Sequence, residues 1–220
     1  MLSFSALVQR VSAAACLRVS LLLICLAGGF GAAAQVTFTG VQITPFGGLG
    51  KGIAVDSSGN VYLASGSVVY KETPGAQGFT QSTVVTNSSG LGSAVAVAVD
   101  SSGNVYIADL SNDQVLKETL SGGTYTNSVI VNSTSGLQQP TGVAVDGSGN
   151  IYILDSGQDG VFQAVYGGGS YSLFPVSTST LSYPTGLAAD SSGNLYIADS
   201  NHSRVIKETA LAAVHSLNLR

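Results

Sequence analysis

The chain has 220 residues, of which 9% are charged and 28 are glycine, and its formal net charge is −4. Because basic side chains are few and the net charge is negative, nucleic acid and anionic membrane surfaces are not expected as partners. Turn-forming residues are spread evenly over the chain after the N-terminal segment. That part of the chain shows no long hydrophobic pattern with a 3.6-residue period. This composition predicts an all-β chain.

The first 34 residues have the organisation of a secretory signal peptide. Arg10 and Arg18 precede an apolar stretch over residues 19–27, and small residues follow up to Ala34. The pattern predicts cleavage after Ala34 and a secreted or periplasmic protein. A membrane anchor is the alternative, but the apolar stretch is short, so we expect no stable membrane insertion after cleavage. Both cysteines lie in the leader, so the mature chain would contain no disulfide.

A Thr-rich segment over residues 36–44 follows the leader and has no hairpin partner beside it. It resembles residues 79–86, and a Gly-Leu-Gly sequence comes after each of them. We therefore interpret residues 36–44 as the last strand of a repeat whose other strands lie elsewhere in the chain.

One twelve-residue phrase, at residues 97–108, returns three more times in the chain. Its acidic residue is Asp56, Asp100, Asp146 or Asp190, so the steps between copies are 44, 46 and 44 residues. A period of this length predicts a repeat architecture.

Each phrase consists of two apolar runs around a loop such as Ser-Ser-Gly-Asn, which predicts a β-hairpin. In the second copy, Gly103 is expected to have a positive φ, and the Asp100 carboxylate is expected to accept backbone N–H groups two or three residues on. Both faces of these strands are apolar, which favours sheets stacked against neighbouring sheets.

We label the two strands of the hairpin a and b. Two more strands, c and d, follow in each repeat, except that the fourth repeat lacks strand d. Pairing the segment at 36–44 with the last strand would hide both sheet edges. We therefore predict a β-propeller of four-stranded antiparallel blades over residues 35–209, closed by this N-terminal strand. The predicted repeats are residues 45–88, 89–134, 135–178 and 179–209, followed by a tail over residues 210–220.

Two stretches of the repeats resemble the consensus of a known family. One begins Pro-Thr-Gly-Val-Ala-Val-Asp at Pro140 and continues with Gly-Asn-Ile-Tyr-Ile, and the other runs from Pro184 to Val205. Both are similar to the NHL repeat. The resemblance implies a β-propeller, most often of six blades, whereas four repeats are visible here. The chain is then either a small four-bladed ring or a truncated piece that associates with another copy of itself.

The loops between strands b and c vary from repeat to repeat, and variable loops on a rigid frame commonly carry binding sites. We therefore expect an exported, non-catalytic binding scaffold that contacts a protein, peptide or glycan through these loops. The candidate binding residues are Asp109, Asn112, Asp113, Asp155, Gln158, Asp159, Asp199, Asn201, His202 and Arg204.

The acids that end strand b have two interpretations. Asp109, Asp155 and Asp199 are expected to cap the loop that follows, because Asp forms turns through its own side chain. A converging ring of acids that binds Ca²⁺ is the alternative, but the first repeat has Ser65 at this position, so we expect no cofactor.

Catalysis by His202 with Asp199 is the alternative function, because a His beside an acid can act as a general base. The family resemblance also implies lyases and lactonases among related propellers, and it places Arg204 at the family's arginine position. No sequence motif of a hydrolase or nucleotide-binding loop supports this alternative.

Lys-Glu-Thr triplets recur on strand c, beginning at Lys71, Lys117 and Lys207. Adjacent residues of a strand face opposite sides, so we expect no simple pairing of each Lys with its neighbouring Glu. A solvated outer region is the expected environment of these charges.

Overall fold

The computed structural model describes residues 50–176 and 179–209. All of them belong to one compact unit, Val41–Arg220. Three predicted segments lie outside the described residues: the leader, the N-terminal strand and the tail, at residues 1–34, 36–44 and 210–220.

The described residues form four antiparallel sheets, which are the blades. The first blade contains β1 (Gly50–Val55), β2 (Val61–Ser65), β3 (Val68–Gly75) and β4 (Gly78–Thr86). The second contains β5 (Ala94–Val99), β6 (Val105–Asp109), β7 (Gln114–Ser121) and β8 (Thr124–Val131). The third contains β9 (Pro140–Val145), β10 (Ile151–Asp155), β11 (Gly160–Gly167) and β12 (Ser170–Pro175), and the fourth contains β13 (Pro184–Ala189), β14 (Leu195–Asp199) and β15 (Arg204–Glu208).

The prediction of an all-β β-propeller with antiparallel blades is confirmed. Strands of each sheet are hydrogen-bonded in chain order, and helical structure in the described residues is limited to three 3₁₀ turns, at Asn87–Ser89, Leu110–Asn112 and Ser133–Ser135. The described part of the fourth blade has three strands. Its completion by residues 36–44 therefore stays a prediction.

The repeated hairpin turn forms through local hydrogen bonds of its acid. Asp100 Oδ1 accepts the backbone N–H groups of Ser102 and Asn104, both at 2.9 Å. Asp100 Oδ2 accepts the Asn104 side chain at 2.8 Å and the Tyr106 hydroxyl at 3.0 Å. Gly103 has φ 81°, as expected. The bonded amides lie two and four residues on, because the turn places Asn104, rather than Gly103, against the carboxylate.

Each of the first three blades packs one face on the next blade along the chain. We call this side of a blade its forward face and the opposite side its rear face. On the first blade, Tyr62, Ala64 and Val69 lie on the forward face. They form one cluster with Val97 and Ile107 on the rear face of the second blade. All five side chains are at most 6% exposed.

The same contact recurs between the second and third blades and between the third and fourth. Its buried members include Tyr106, Ala108, Val115, Ile151 and Ile153 at the former, and Tyr152, Leu154, Val161, Leu195 and Ile197 at the latter. The prediction that stacked sheets bury both faces of these strands is therefore confirmed at the three contacts between blades.

The innermost strands approach one another in succession, since β1 contacts β5, β5 contacts β9 and β9 contacts β13. β1 approaches β5 closely, since a Cβ added to Gly52 would lie 2.7 Å from Ala96 Cα. A side chain at Gly52 would therefore collide with the backbone of the second blade. Within the described residues, β13 makes no comparable contact with β1.

The expected solvation of the Lys-Glu-Thr triplets is wrong for two glutamates. Glu72 and Glu118 are only 3% and 2% exposed and lie on the rear faces of their blades, where Glu72 accepts a hydrogen bond from the Gln81 side chain at 2.7 Å. Burial raises the pKa of Glu118, and the side chain of Asn127 donates a hydrogen bond to its carboxylate. The lysines lie on the opposite faces, as the strand alternation predicted; the ammonium of Lys117 sits 5.4 Å from the Tyr106 ring centre.

Over the part of the chain that the structure describes, no helix has the length and hydrophobicity needed to cross a bilayer.

Candidate functional site

Asp109 ends β6 and is fully buried. Its carboxylate accepts the backbone N–H groups of Gly92 at 2.9 Å and Ser93 at 2.7 Å, which lie in the connection into the same blade. The side chains of Asn112 and Gln114 donate to the same carboxylate at 2.8 and 2.9 Å. Burial alone would raise the pKa of Asp109, but these hydrogen bonds hold it below its ordinary value. The carboxylate therefore fastens the connection before β5 to the loop after β6.

Asp155 repeats this arrangement in the third blade. It is fully buried and accepts the backbone N–H groups of Gln138 at 2.8 Å and Gln139 at 2.9 Å. The side chain of Gln158 donates to it at 2.8 Å and also to the carbonyl of Gly136 at 2.7 Å. The carboxylate of Asp155 therefore also accepts hydrogen bonds from the blade connection that it holds in place.

Asp199 does the same in the fourth blade, where its side-chain partners are an arginine and a histidine. It accepts the backbone N–H of Ser182 at 2.8 Å and Arg204 Nε at 2.8 Å, and His202 Nδ1 lies 2.8 Å from the same carboxylate. Arg204 also donates to the carbonyl of Thr180 at 2.7 Å. Burial would raise the pKa of Asp199, but the bonds from Ser182, Arg204 and His202 lower it to about 2.

The three loops use equivalent positions for these contacts. Asn112, Gln158 and His202 each stand three residues after the acid and each bond it at 2.8 Å. One position later, the backbone is left-handed in every loop, with φ 47° at Asp113, 47° at Asp159 and 51° at Ser203. Of the three acids that were expected to cap the following loop, Asp155 accepts a backbone N–H of that loop, from Gly157 at 3.0 Å, whereas Asp109 makes no such bond. His202 occupies a position that elsewhere holds an amide.

The structure brings only part of the predicted residue set together. Asp109, Asn112 and Gln114 gather around residues 90–93, whereas Asp155 and Gln158 gather around residues 136–139. In the described residues, no group of three or more His, Cys, Asp or Glu side chains is arranged to hold a metal ion. The candidate residues thus divide into separate groups, one for each blade connection.

One group joins two blades and includes a residue that the sequence reasoning missed. Asp159, in the third blade, accepts the backbone N–H of Tyr183 at 2.7 Å, in the connection into the fourth. Asn201 donates its backbone N–H to the carbonyl of Ser182 at 3.2 Å. We call this region the fourth-blade loop surface; it consists of Asp159, Tyr183, Asn201, His202 and Arg204.

Tyr183 has an unusual conformation for an aromatic residue. Its side chain is 60% exposed, and its backbone has φ 48°, although a bulky side chain disfavours this region. Strained residues of this kind cluster at functional sites. The available signal in the sequence was a tyrosine immediately before Pro184, where the third repeat has Gln139 before Pro140.

A family model describing the NHL repeat matches residues 181–207. This stretch extends from the connection into the fourth blade to β15, and it contains Asp199, His202 and Arg204. The matched stretch is an NHL repeat, and the described residues fold as a β-propeller. The resemblance drawn from the sequence is therefore confirmed, and most of the fourth-blade loop surface lies within the matched repeat.

Several solved structures share the fold of this chain at low sequence identity. A gluconolactonase from Xanthomonas campestris is 15% identical with a TM-score of 0.53, over 73% of this chain and 61% of that one. A protein of unknown function from Bacteroides thetaiotaomicron is 19% identical with a TM-score of 0.55, over 73% and 47%. A catalytically inactive virginiamycin B lyase from Staphylococcus aureus, solved with Quinupristin, is 14% identical with a TM-score of 0.50, over 74% and 56%.

The chain thus spans between 47% and 61% of the length of these three structures. No curated protein matches its sequence significantly.

Proposed function

We propose that this NHL-repeat propeller is a non-catalytic binding scaffold that holds a protein, peptide or glycan on its fourth-blade loop surface. The observation that carries the proposal is the occupation of Asp109, Asp155 and Asp199 by backbone N–H groups. These acids hold the loops in place, so the loops form a rigid platform on which exposed side chains can contact a ligand.

The His–Asp pair is better explained by loop structure than by catalysis. His202 Nδ1 contacts Asp199 as the amides of Asn112 and Gln158 contact their own acids. An amide cannot act as a general base, so a task that Asn and Gln perform equally well requires no imidazole chemistry. Asp199 is also fully buried, so it could not itself contact a substrate.

The exposed chemistry of the surface suits a polar ligand. Tyr183 offers a largely exposed ring, and the side chains of His202 and Arg204 are 44% and 47% exposed. An aromatic ring beside polar groups can stack on a sugar or pack against a peptide while the polar groups fix orientation. The backbone of Tyr183 is held by Asp159, so little ordering entropy would be lost when a ligand binds.

A binding screen against glycans and peptides tests the proposal, with Tyr183→Ala as the diagnostic variant. Affinity for any ligand found should fall by roughly tenfold or more, as for a central aromatic contact. Tyr166→Ala is the matched control, because Tyr166 is 64% exposed at the far end of β11, near the hairpin to β12, and should leave affinity unchanged. Equal binding by the parent and the Tyr183 variant would contradict the assigned surface.

Catalysis is the second candidate, because the names of two structural neighbours describe a gluconolactonase and a virginiamycin B lyase. Lactones and a streptogramin should therefore be assayed with the parent and with His202→Asn. Asn is chosen because Asn112 makes the same bond in the second repeat, so the loop should keep its structure. Turnover by the parent that disappears in His202→Asn would replace the binding proposal with an enzymatic one.

A further inference from the structure

The rear face of the first blade has no blade packed on it within the described residues. Glu72 on this face is buried, but the apolar residues that β1 contributes to it are exposed. Ile53 and Val55 on this face are 66% and 60% exposed. Val97 and Val143, at the position of Ile53 in the next two repeats, are 6% and 5% exposed. The first blade therefore presents to solvent the same β-branched surface that the second and third blades bury.

The forward face of the fourth blade is exposed in the same way. Val205 is 72% exposed, whereas its counterparts Val115 and Val161 are at most 1% exposed. Tyr196 is 37% exposed, whereas its counterpart Tyr106 is 3% exposed. Lys207 lies 5.5 Å from the Tyr196 ring centre, as Lys117 does from Tyr106 at 5.4 Å, so the face keeps the geometry of the buried forward faces.

These two faces are complementary by construction. Forward and rear faces of the same composition meet at each of the three contacts between blades. Register confirms the match, since Ala188, Tyr196 and Lys207 align across the fourth blade as Ala98, Tyr106 and Lys117 do across the second. The two end faces do not meet within one chain in the described residues, since β13 makes no contact with β1 like those between the inner strands of neighbouring blades.

We propose that a second copy of this chain packs the rear face of its first blade on the forward face of the fourth blade of the first copy. The new contact would continue the packing already formed three times inside the chain, with Ile53 and Val55 of one copy covering Tyr196 and Val205 of the other. Exposed apolar patches of this kind mark association surfaces. The contact is heterologous, so its two sides are different surfaces of the same molecule. None of these four residues belongs to the fourth-blade loop surface.

Sedimentation of the full chain, expressed in an exporting host so that any leader is processed, tests this proposal. The parent should form a dimer or larger assembly in a concentration-dependent way. Val205→Lys and Ile53→Lys should each weaken association by roughly tenfold or more, because each buries a charge in an apolar contact. Val129→Lys is the control, since Val129 is 47% exposed on β8, outside both end faces, and should associate as the parent does.

Mixing the two variants distinguishes this contact from all alternatives. Val205→Lys keeps an intact first-blade face and Ile53→Lys keeps an intact fourth-blade face, so an equal mixture should form heterodimers although neither variant associates alone. A monomeric parent, association that survives both substitutions, or a mixture that stays monomeric would each overturn the proposal.

The same experiments also detect the alternative in which the first and fourth blades of one molecule pack on each other. If the ends of one molecule met, the parent would be monomeric and both substitutions would lower its melting temperature. Under the proposal the substituted side chains are exposed in the monomer, so the melting temperature of the dilute variants should match that of the dilute parent. Val55→Lys provides a second test of the first-blade face if Ile53→Lys fails to fold.

Discussion

Replacing Asp109 by Asn tests whether the buried acids hold the blade connections. The substitution keeps size and shape but turns one acceptor oxygen into a donor. Asp109 Oδ2 accepts the backbone N–H of Gly92 and the side chains of Asn112 and Gln114, whereas Oδ1 accepts Ser93. If the new amide keeps its oxygen on Ser93, its NH₂ group faces the Gly92 N–H, which is left without this acceptor.

The expected loss follows from those bonds. The donor left unpaired belongs to the exposed Gly92 and can bond water, so the loss comes mainly from the charge-assisted bonds to the buried Asp109 carboxylate and should be about 1–3 kcal/mol. For a domain of this size, that corresponds to a fall in melting temperature of roughly 2–12 °C. The two side-chain amides can turn toward solvent and should add little.

Thermal unfolding followed by circular dichroism, together with urea titration, measures this loss. Asp113→Asn is the matched control, because Asp113 has φ 47° in the same loop and Asn tolerates this conformation well. The control should unfold with the parent. If Asp109→Asn also unfolded with the parent, the acid would not stabilise the connection, and the argument against its availability for a ligand would fail.

Two further outcomes are expected. Gly52→Val should cost about 1–3 kcal/mol or more, because its Cβ would lie 2.7 Å from Ala96 Cα, whereas Gly167→Val should have little effect because nothing lies within 4 Å of a Cβ there; urea unfolding of both variants measures the difference, and equal losses would contradict the close packing of β1 on β5. Stability should also fall in acid, because the pKa of Asp199 is lowered from 3.8 to about 2 in the folded chain. The stabilisation that ionised Asp199 contributes is complete above its pKa in the unfolded chain, and it is lost as the pH falls from about 4 to about 2. Melting temperatures across this range should decline less in Asp199→Asn than in the parent, and parallel curves would argue against this assignment.

The hairpin turns illustrate what local sequence predicts well. Asp100 bonds only residues up to six positions away, and Gly103 supplies the positive φ that the turn requires. Such contacts recur wherever the phrase recurs, so the repeat, the hairpins and the alternation of apolar faces could all be predicted.

The candidate site was predicted less completely, because its contacts are not local. Asp109 bonds backbone groups 16 and 17 residues earlier, so the sequence could indicate a cap for the following loop but not the connection it fastens. Tyr183 carried no motif, and the carboxylate that accepts its backbone N–H belongs to Asp159, which lies 24 residues before it in another blade.

The period, the strand pairs within each blade and the family of the repeat could be predicted from the amino-acid sequence, because each of these follows from residues that are close together in the chain. The burial of Glu118, the amide-like contact of His202 and the exposure of Ile53 and Val205 follow only from how the blades pack and how their loops fold. Burial depends on which faces meet. Every blade has nearly the same sequence pattern, so the pattern cannot distinguish a face that is covered by a neighbouring blade from one that is not.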